Sequence, residues 1–189
     1  MRILIINCGS RLINELSAAT TGLGADIVLL PITDLPLKSV KGFDGIIISG
    51  SPLMWSECKN QYLHKFDFIK KAKIPILGVC FGHQTIGLLY GSKIKREKLL
   101  KKKIFINFHG KDIIIKGFSA KARFMEYHQE YISLPKGFVL LGTSGYGNIE
   151  IIKHHAKPIY GVQFHPEMSG KNGKKILGNF LSLCKPRII

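Results

Sequence analysis

Long hydrophobic runs are absent from this chain. No apolar stretch approaches the ~20 residues that a membrane-spanning helix requires. The apolar run at residues 3–6 is shorter than the core of a signal peptide and ends at Asn7, Cys8 and Gly9. It predicts a buried first strand instead, so we expect a cytoplasmic protein that does not associate with a membrane.

Acidic residues are also scarce. The chain has 12 Asp and Glu against 28 Lys and Arg, which gives a net charge of +16. Such an excess suits nucleic acid, an acidic ligand or an acidic protein partner. The positive residues are densest at 93–103, but no aromatic residues interleave with them to stack against single strands. We therefore do not expect a nucleic-acid partner, and the run is either an ordinary solvated face or a docking surface for an acidic protein.

The cysteines show neither paired nor metal-type spacing; they are Cys8, Cys58, Cys80 and Cys184. In a cytosolic protein such thiols are reduced, and a small buried hydrophobe is the default for all of them except Cys80. Histidines and acidic residues also lack the spacing of metal ligands, so we predict no metal site. No Gly-X-X-X-X-Gly-Lys-Ser/Thr phosphate loop is present, which places any use of ATP on another chain.

The apolar pattern predicts one α/β domain over residues 1–189. Buried strands are predicted at 3–6, 27–30, 46–48 and 76–79, with helices at 11–23 and 61–71 between them. Continuous apolar strands separated by helices indicate a mostly parallel central sheet with helices on both faces. Shorter, turn-bounded strand candidates then predict a small antiparallel excursion, at 103–108, 112–115, 122–125 and 138–141. The chain closes with strands at 149–153 and 158–164 and a helix at about 173–183.

The segment around Cys80 is the most informative part of the sequence. An apolar strand runs directly into Gly78-Val79-Cys80-Phe81-Gly82, and a helical pattern follows at once. This is the arrangement of a nucleophile elbow with cysteine in place of serine. The helix N-terminus favours a thiolate, and the backbone N–H of Phe81 can donate to an oxyanion.

A cysteine nucleophile of this kind needs a general base that a third group orients. The best candidate is His165, which a predicted strand delivers just before Pro166 and Glu167. Proline restricts its own backbone and that of the residue before it, so Glu167 can accept a hydrogen bond from one imidazole nitrogen. His128 is the only serious rival for the role of base.

Three motifs resemble the class I, or triad-type, glutamine amidotransferases. They are the elbow GVCFGHQ at 78–84, the stretch GVQFHPE at 161–167, and ISGSP at 48–52, where the family carries a glycine-rich oxyanion loop. Their order and spacing agree over essentially the whole chain. Within the family, residues 157–167 and the start of the following helix are most similar to the free-standing amidotransferase subunits of GMP synthase.

The resemblance implies an α/β domain with a defined set of site residues. The implied triad is Cys80, His165 and Glu167, the implied oxyanion donors are the backbone N–H groups of Ser51 and Phe81, and the implied substrate contacts are Gly50, the Gln84 side chain and the backbone of Tyr127 and His128.

The resemblance also implies hydrolysis of glutamine to glutamate and ammonia through a cysteine thioester. The ammonia would pass to a separate synthetase subunit, which would carry ATP and Mg²⁺ and aminate XMP to GMP, so this chain itself needs no cofactor. Three alternatives stay open: an amidotransferase subunit of another pathway, a gamma-glutamyl hydrolase, and a non-catalytic regulatory relative.

Two positions depart from the family pattern. Ser51 stands where the family usually has the second glycine of Gly-Gly-Pro. If its N–H had to turn through a glycine-type conformation, a non-glycine residue would cost ~1–3 kcal/mol. Residues 127–130 read Tyr-His-Gln-Glu, whereas the GMP synthase branch typically shows Ser-His-X-Asp. Tyr-His at this point is closer to other branches, such as those that make anthranilate.

Overall fold

A mixed β-sheet runs through the protein. The computed structural model describes residues 1–35 and 40–184. The strands are, in chain order, β1 Arg2–Asn7, β2 Asp26–Pro31, β3 Gly45–Ile48, β4 Ile76–Val79, β5 Ile94–Phe108, β6 Lys121–Ile132, β7 Phe138–Ser144, β8 Ile149–His154 and β9 Ile159–Val162. The helices are α1 Ile13–Thr21, α2 Trp55–Tyr62, α3 Phe81–Leu89 and α4 Gly170–Leu181, with 3₁₀ segments at Ile32–Asp34, Leu63–Lys71, Ile113–Ile115 and Pro166–Met168.

The sheet has a parallel half and an antiparallel half. Its order is β2-β1-β3-β4-β9-β8-β7-β5-β6, in which neighbours from β2 to β9 are parallel and those from β9 to β6 are antiparallel. β4 and β9 lie side by side in the parallel half, with Val79 opposite Val162. Because parallel strands end at the same edge, this pairing brings the residues that follow β4 and β9 together.

Alternate residues of the parallel strands point into two separate cores. Ile3 and Ile5 pack on one face with Phe180 of α4, whereas Leu4 and Ile6 pack on the other face with Phe81 of α3. Side chains alternate across a strand, so a strand that is apolar at every position must be covered on both faces. The predicted α/β class, with a mostly parallel sheet, flanking helices and an antiparallel extension, is confirmed.

Two predicted elements are wrong in type. Residues 112–115 form a 3₁₀ turn and not a strand, because the Asp112 carboxylate accepts the Ile114 N–H at 2.9 Å and starts the turn. The helix predicted at 61–71 is 3₁₀ from Leu63, whereas the α-helix before it begins earlier, at Trp55.

The antiparallel strands are longer than predicted. β5 begins at Ile94 and contains most of the lysine-rich run, and β6 extends to Ile132 as its hairpin partner. Residues 101–103 lie on the exposed part of this hairpin. Within the described part of the chain, no helix combines the length and apolar character needed to cross a membrane.

Candidate active site

Cys80 lies at the turn between β4 and α3. Its backbone has φ 51° and ψ −101°, and no other non-glycine residue among those described has a positive φ. This strained conformation is the one that the elbow motif predicts. The Cys80 N–H donates to the Val162 carbonyl of β9 at 2.8 Å, and the helix begins at the next residue. The thiol therefore lies at the positive end of the helix dipole.

Two glycines allow this turn to form. A Cβ at Gly78 would lie 2.3 Å from the Gly82 carbonyl oxygen, and one at Gly82 would lie 2.4 Å from the Ile48 carbonyl oxygen. Real Cβ atoms do not approach backbone so closely, and the obstructing atoms cannot swing away. Both glycines are therefore required by the tight contact between the elbow and β3.

The structure places His165 beside Cys80, as the loop after β9 approaches the elbow. His165 Nδ1 lies 2.8 Å from Glu167 Oε1, and both side chains are buried. Burial lowers the pKa of His165, but the nearby Cys80 and the bond to Glu167 outweigh it and raise the pKa well above its usual value. The arrangement favours a proton on the imidazole and leaves its second nitrogen for sulfur.

The backbone of His165 is fixed from two sides. Its N–H donates to the Met125 carbonyl of β6 at 2.8 Å, and its carbonyl accepts the Ser169 hydroxyl at 2.6 Å. Ser169 Oγ in turn accepts the Met125 N–H at 2.9 Å. This closed set of hydrogen bonds holds the imidazole in place before any ligand binds.

Gly50 lies against the cysteine–histidine pair. A Cβ at this position would be 3.0 Å from His165 Cε1 and 3.7 Å from Cys80 Cβ. Any larger residue would press on the imidazole, so this glycine keeps the pair at its observed separation.

A cavity of about 270 Å³ opens over these residues. Among the residues implied by the resemblance, those that line it are Ser51, Cys80, Phe81, Gln84, Tyr127, His128 and His165. Gly50 and Glu167 lie behind the lining, against His165. The sequence did not single out other lining residues, among them Arg11, Met54, Leu99 and Glu130. Arg11 and Leu99 carry no local motif, so only the folded chain could reveal them.

Ser51 fits its position without glycine-type strain. Its φ is not positive, so the anticipated cost of the Gly-to-Ser departure does not arise in this conformation. Its hydroxyl donates to the Cys8 carbonyl at 2.6 Å and accepts the Leu53 N–H at 3.0 Å. The side chain thus stabilises the loop and leaves the backbone of Ser51 at the cavity wall.

Gln84 and Tyr127 reach the cavity from α3 and β6. The Gln84 amide donates to the Glu130 carbonyl at 2.8 Å, and the Tyr127 carbonyl lies 3.9 Å from Cys80 Sγ. These placements agree with the positions that the resemblance implies for substrate contacts.

His128 is turned away from sulfur. Its Nε2 lies 2.9 Å from Glu126 Oε2 and its Nδ1 lies 3.2 Å from the Glu130 carbonyl oxygen, so both ring nitrogens are engaged. A carbonyl only accepts, so Nδ1 carries the proton, and the neutral ring then needs a proton on Glu126. Burial fits this state, because it lowers the pKa of His128 to about 4 and raises that of Glu126 to about 7. His128 is therefore a poor candidate for the base.

A second buried carboxyl group, Glu150, belongs to the same cluster. Within the described residues, neither of its side-chain oxygens has a geometric hydrogen-bond donor, and the same is true of Glu126 Oε1. Burial and the neighbouring Glu126 raise the pKa of Glu150 well above its usual value. We conclude that the two carboxyl groups share a proton, since two buried carboxylates in contact would repel each other.

Glu130 has a structural role that sequence reasoning missed. Its carboxylate accepts the N–H groups of Trp55 at 2.7 Å and Ser56 at 3.0 Å, at the N-terminus of α2. Trp55 stacks on Phe81 with ring centroids 4.4 Å apart and donates to the Phe81 carbonyl at 3.2 Å. Glu130, which stands at the usual aspartate position, therefore supports the elbow through α2.

The family comparison agrees with this geometry. The family model for glutamine amidotransferase class-I matches residues 4–184. The chain belongs to the class-I glutamine amidotransferases. In this amidotransferase, no cluster of three or more His, Cys, Asp or Glu side chains within residues 1–35 and 40–184 could hold a metal ion.

Similar proteins cover nearly the full length of this amidotransferase. The separate glutamine-hydrolyzing GMP synthase subunit of Methanosarcina barkeri is 33% identical over 98% of this chain and 97% of its own. That of Saccharolobus solfataricus is 36% identical over 86% of this chain and 88% of its own. A solved Thermoplasma acidophilum structure, assigned to the same GMP synthase subunit, has a TM-score of 0.88 and 27% identity over 97% and 94% of the two chains.

Proposed function

We propose that this amidotransferase is the glutamine-hydrolysing subunit of a two-subunit GMP synthase. It would release ammonia from glutamine, and a separate synthetase subunit would use the ammonia to aminate XMP to GMP. The observation that carries the proposal is the buried His165–Glu167 pair, which meets a cysteine on a strained elbow. The similarity to GMP synthase subunits over nearly the whole chain supports the choice of pathway.

The reaction would begin with the Cys80 thiol proton on His165. The Cys80 thiolate attacks the side-chain carbonyl carbon of glutamine, and the electron pair of the C=O bond moves to oxygen. The backbone N–H groups of Ser51 and Phe81 would stabilise that oxyanion; loss of one such donor typically costs ~10²–10³ in rate. As the C–N bond breaks, His165 gives its proton to the leaving ammonia.

A thioester between Cys80 and the glutamyl group then remains. His165, now neutral, would take a proton from water as the water attacks the thioester carbonyl. Collapse of this second intermediate releases glutamate and restores the thiolate–imidazolium pair. Glu167 would hold the His165 ring in one orientation through both steps, and Gln84 with the Tyr127 backbone would hold the amino-acid end of the substrate.

The ammonia acceptor would belong to another chain. We propose that this partner binds ATP and Mg²⁺ and that it docks near the cavity. The lysine-rich β5–β6 hairpin supports this location, because Leu99 and Tyr127 are exposed there and also line the cavity. Residues 101–103 are exposed on the same hairpin, and they would attract an acidic partner surface.

We also propose a cytoplasmic location. The cysteines in the described part of the chain are all free, and the proposed reaction needs Cys80 as a thiolate. Reduced thiols persist in a reducing compartment. Fractionation of the source cells, with immunodetection of this chain, would test the location.

The decisive experiment measures glutamate release by the purified chain, alone and with a GMP synthetase subunit, ATP, Mg²⁺ and XMP. Cys80→Ala is the matched inactive variant. We expect Cys80-dependent activity that rises when the partner and its nucleotides are present. Activity that ignores a bound partner would contradict the GMP pathway, and no activity with a demonstrably bound partner would contradict glutamine hydrolysis.

A further inference from the structure

A glutamine side chain makes a polar contact with the sulfur of Cys80. Gln163 follows β9 and is fully buried, and its Nε2 lies 3.7 Å from Cys80 Sγ. The sequence assigns Gln163 no role beyond membership in the GVQFHPE motif. Its contact with sulfur raises the question of which end of its amide faces Cys80.

A chain of hydrogen bonds determines the orientation of this amide. The Glu130 carbonyl can only accept, so the Gln84 NH₂ group must face it, at 2.8 Å. The second hydrogen of the same NH₂ group reaches Gln163 Oε1 at 3.2 Å. With its oxygen engaged there, Gln163 can present only its own NH₂ group to Cys80.

The backbone around this chain is fixed. The Gln163 N–H donates to the Glu150 carbonyl of β8 at 2.9 Å. The Glu130 carbonyl is held on β6, where the Glu130 carboxylate binds the N-terminus of α2. A flip of the Gln163 amide would turn its NH₂ group towards the NH₂ group of Gln84 and its oxygen towards sulfur, so the observed orientation is strongly favoured.

We propose that Gln163 is a further catalytic residue of the glutaminase reaction, which holds Cys80 as a thiolate by donating an N–H to Sγ, and that Gln84 is a positioning residue which fixes this donor. The inference rests on the proposed function, in which Cys80 is the nucleophile. The donor stabilises negative charge on sulfur in the resting enzyme and after release of glutamate. It is distinct from the oxyanion donors, which act on the substrate oxygen.

The test is alkylation of Cys80 by iodoacetamide as a function of pH, followed by mass spectrometry of the peptide that contains Cys80. This small electrophile reports on the thiolate without occupation of the substrate site by glutamine. In Gln163→Met, which has similar length and no N–H donor, half-maximal alkylation should move to higher pH by about 1–2 pH units, the usual strength of a hydrogen bond to a charged group. Gln84→Met should shift it in the same direction by less.

Asn179→Leu is the control variant. It also removes a side-chain amide, one that donates to the carbonyls of Ile114 at 3.0 Å and Lys116 at 2.9 Å and makes no contact with Cys80. Its alkylation profile should match that of the native chain. If folded Gln163→Met also matches the native profile while native Cys80 reacts as an activated thiolate, the role of Gln163 is refuted. If native Cys80 itself shows no such activation, the proposed function fails instead.

A second measurement uses the native chain, in case Gln163→Met does not fold. The side-chain NH₂ resonances of Gln163 should shift in NMR spectra when Cys80 is alkylated, because alkylation removes the negative charge that accepts its hydrogen bond. The NH₂ resonances of Asn179 should stay in place. Unmoved Gln163 resonances would overturn the proposal.

Discussion

The carboxylate of Glu130 should stabilise the fold far more than an exposed carboxylate on α2, the helix that it caps. It accepts two N–H groups at the start of α2, at 2.7 and 3.0 Å, and it is buried. Glu130→Gln keeps the shape but offers one oxygen, and its NH₂ group would face a backbone N–H. Loss of one hydrogen bond to a charged group costs ~1.5–3 kcal/mol, and loss of the charge at a buried helix N-terminus adds up to ~2 kcal/mol.

We therefore expect Glu130→Gln to lower the free energy of unfolding by about 2–4 kcal/mol. For a chain of this size, that corresponds to a fall in Tm of roughly 5–15 °C. Thermal unfolding followed by circular dichroism or calorimetry would measure it.

Glu57→Gln is the matched control, because it makes the same chemical change on α2. Glu57 pairs with Arg96 at 3.0 Å, but its side chain is 60% exposed, so solvent screens the pair. Exposed pairs contribute ~0–1 kcal/mol, and Tm should change by only a few degrees. Equal melting temperatures for the two variants would refute the assignment of Glu130 as the N-terminal cap of α2.

Three further predictions concern the site, the core and the surface. Gly50→Ala should lower kcat/KM for glutamine by ~10²-fold, because the new methyl group presses on His165, whereas Gly145→Ala, with open space around it, should leave it unchanged. Burial lowers the pKa of His83 to about 3, so its stabilising effect is complete above pH 6.5 and is lost as the pH falls towards that value. Between pH 6.5 and pH 5, the unfolding free energy of His83→Gln should thus fall by ~2 kcal/mol less than that of the native chain, and His64→Gln should show the native pH dependence; equal slopes for all three would exclude the effect. Replacing the lysines at 101–103 by glutamate should weaken binding to a GMP synthetase partner ~10-fold or more at low salt, as calorimetry would show, and unchanged affinity would rule out this docking surface.

Local sequence signals carried the parallel half of the fold. The apolar runs at β1, β3 and β4 are buried almost throughout, and a strand of this kind reports its own burial without knowledge of its neighbours. Charge concealed β5, because a hairpin strand near the edge of the sheet exposes most of its side chains. The Asp112 turn was missed because a short polar residue before isoleucines predicts neither element strongly.

The candidate site divides in the same way. The elbow around Cys80 and the pairing of His165 with Glu167 are local, since each depends on residues within a few positions in the chain, and the sequence alone predicted both. Glu130 reaches Trp55 across 75 positions, and Gln84 reaches Gln163 across 79. No local pattern encodes such contacts. They exist because the parallel strand ends, the hairpin and α2 converge on one edge of the sheet, where tertiary packing alone decides which polar groups can satisfy one another.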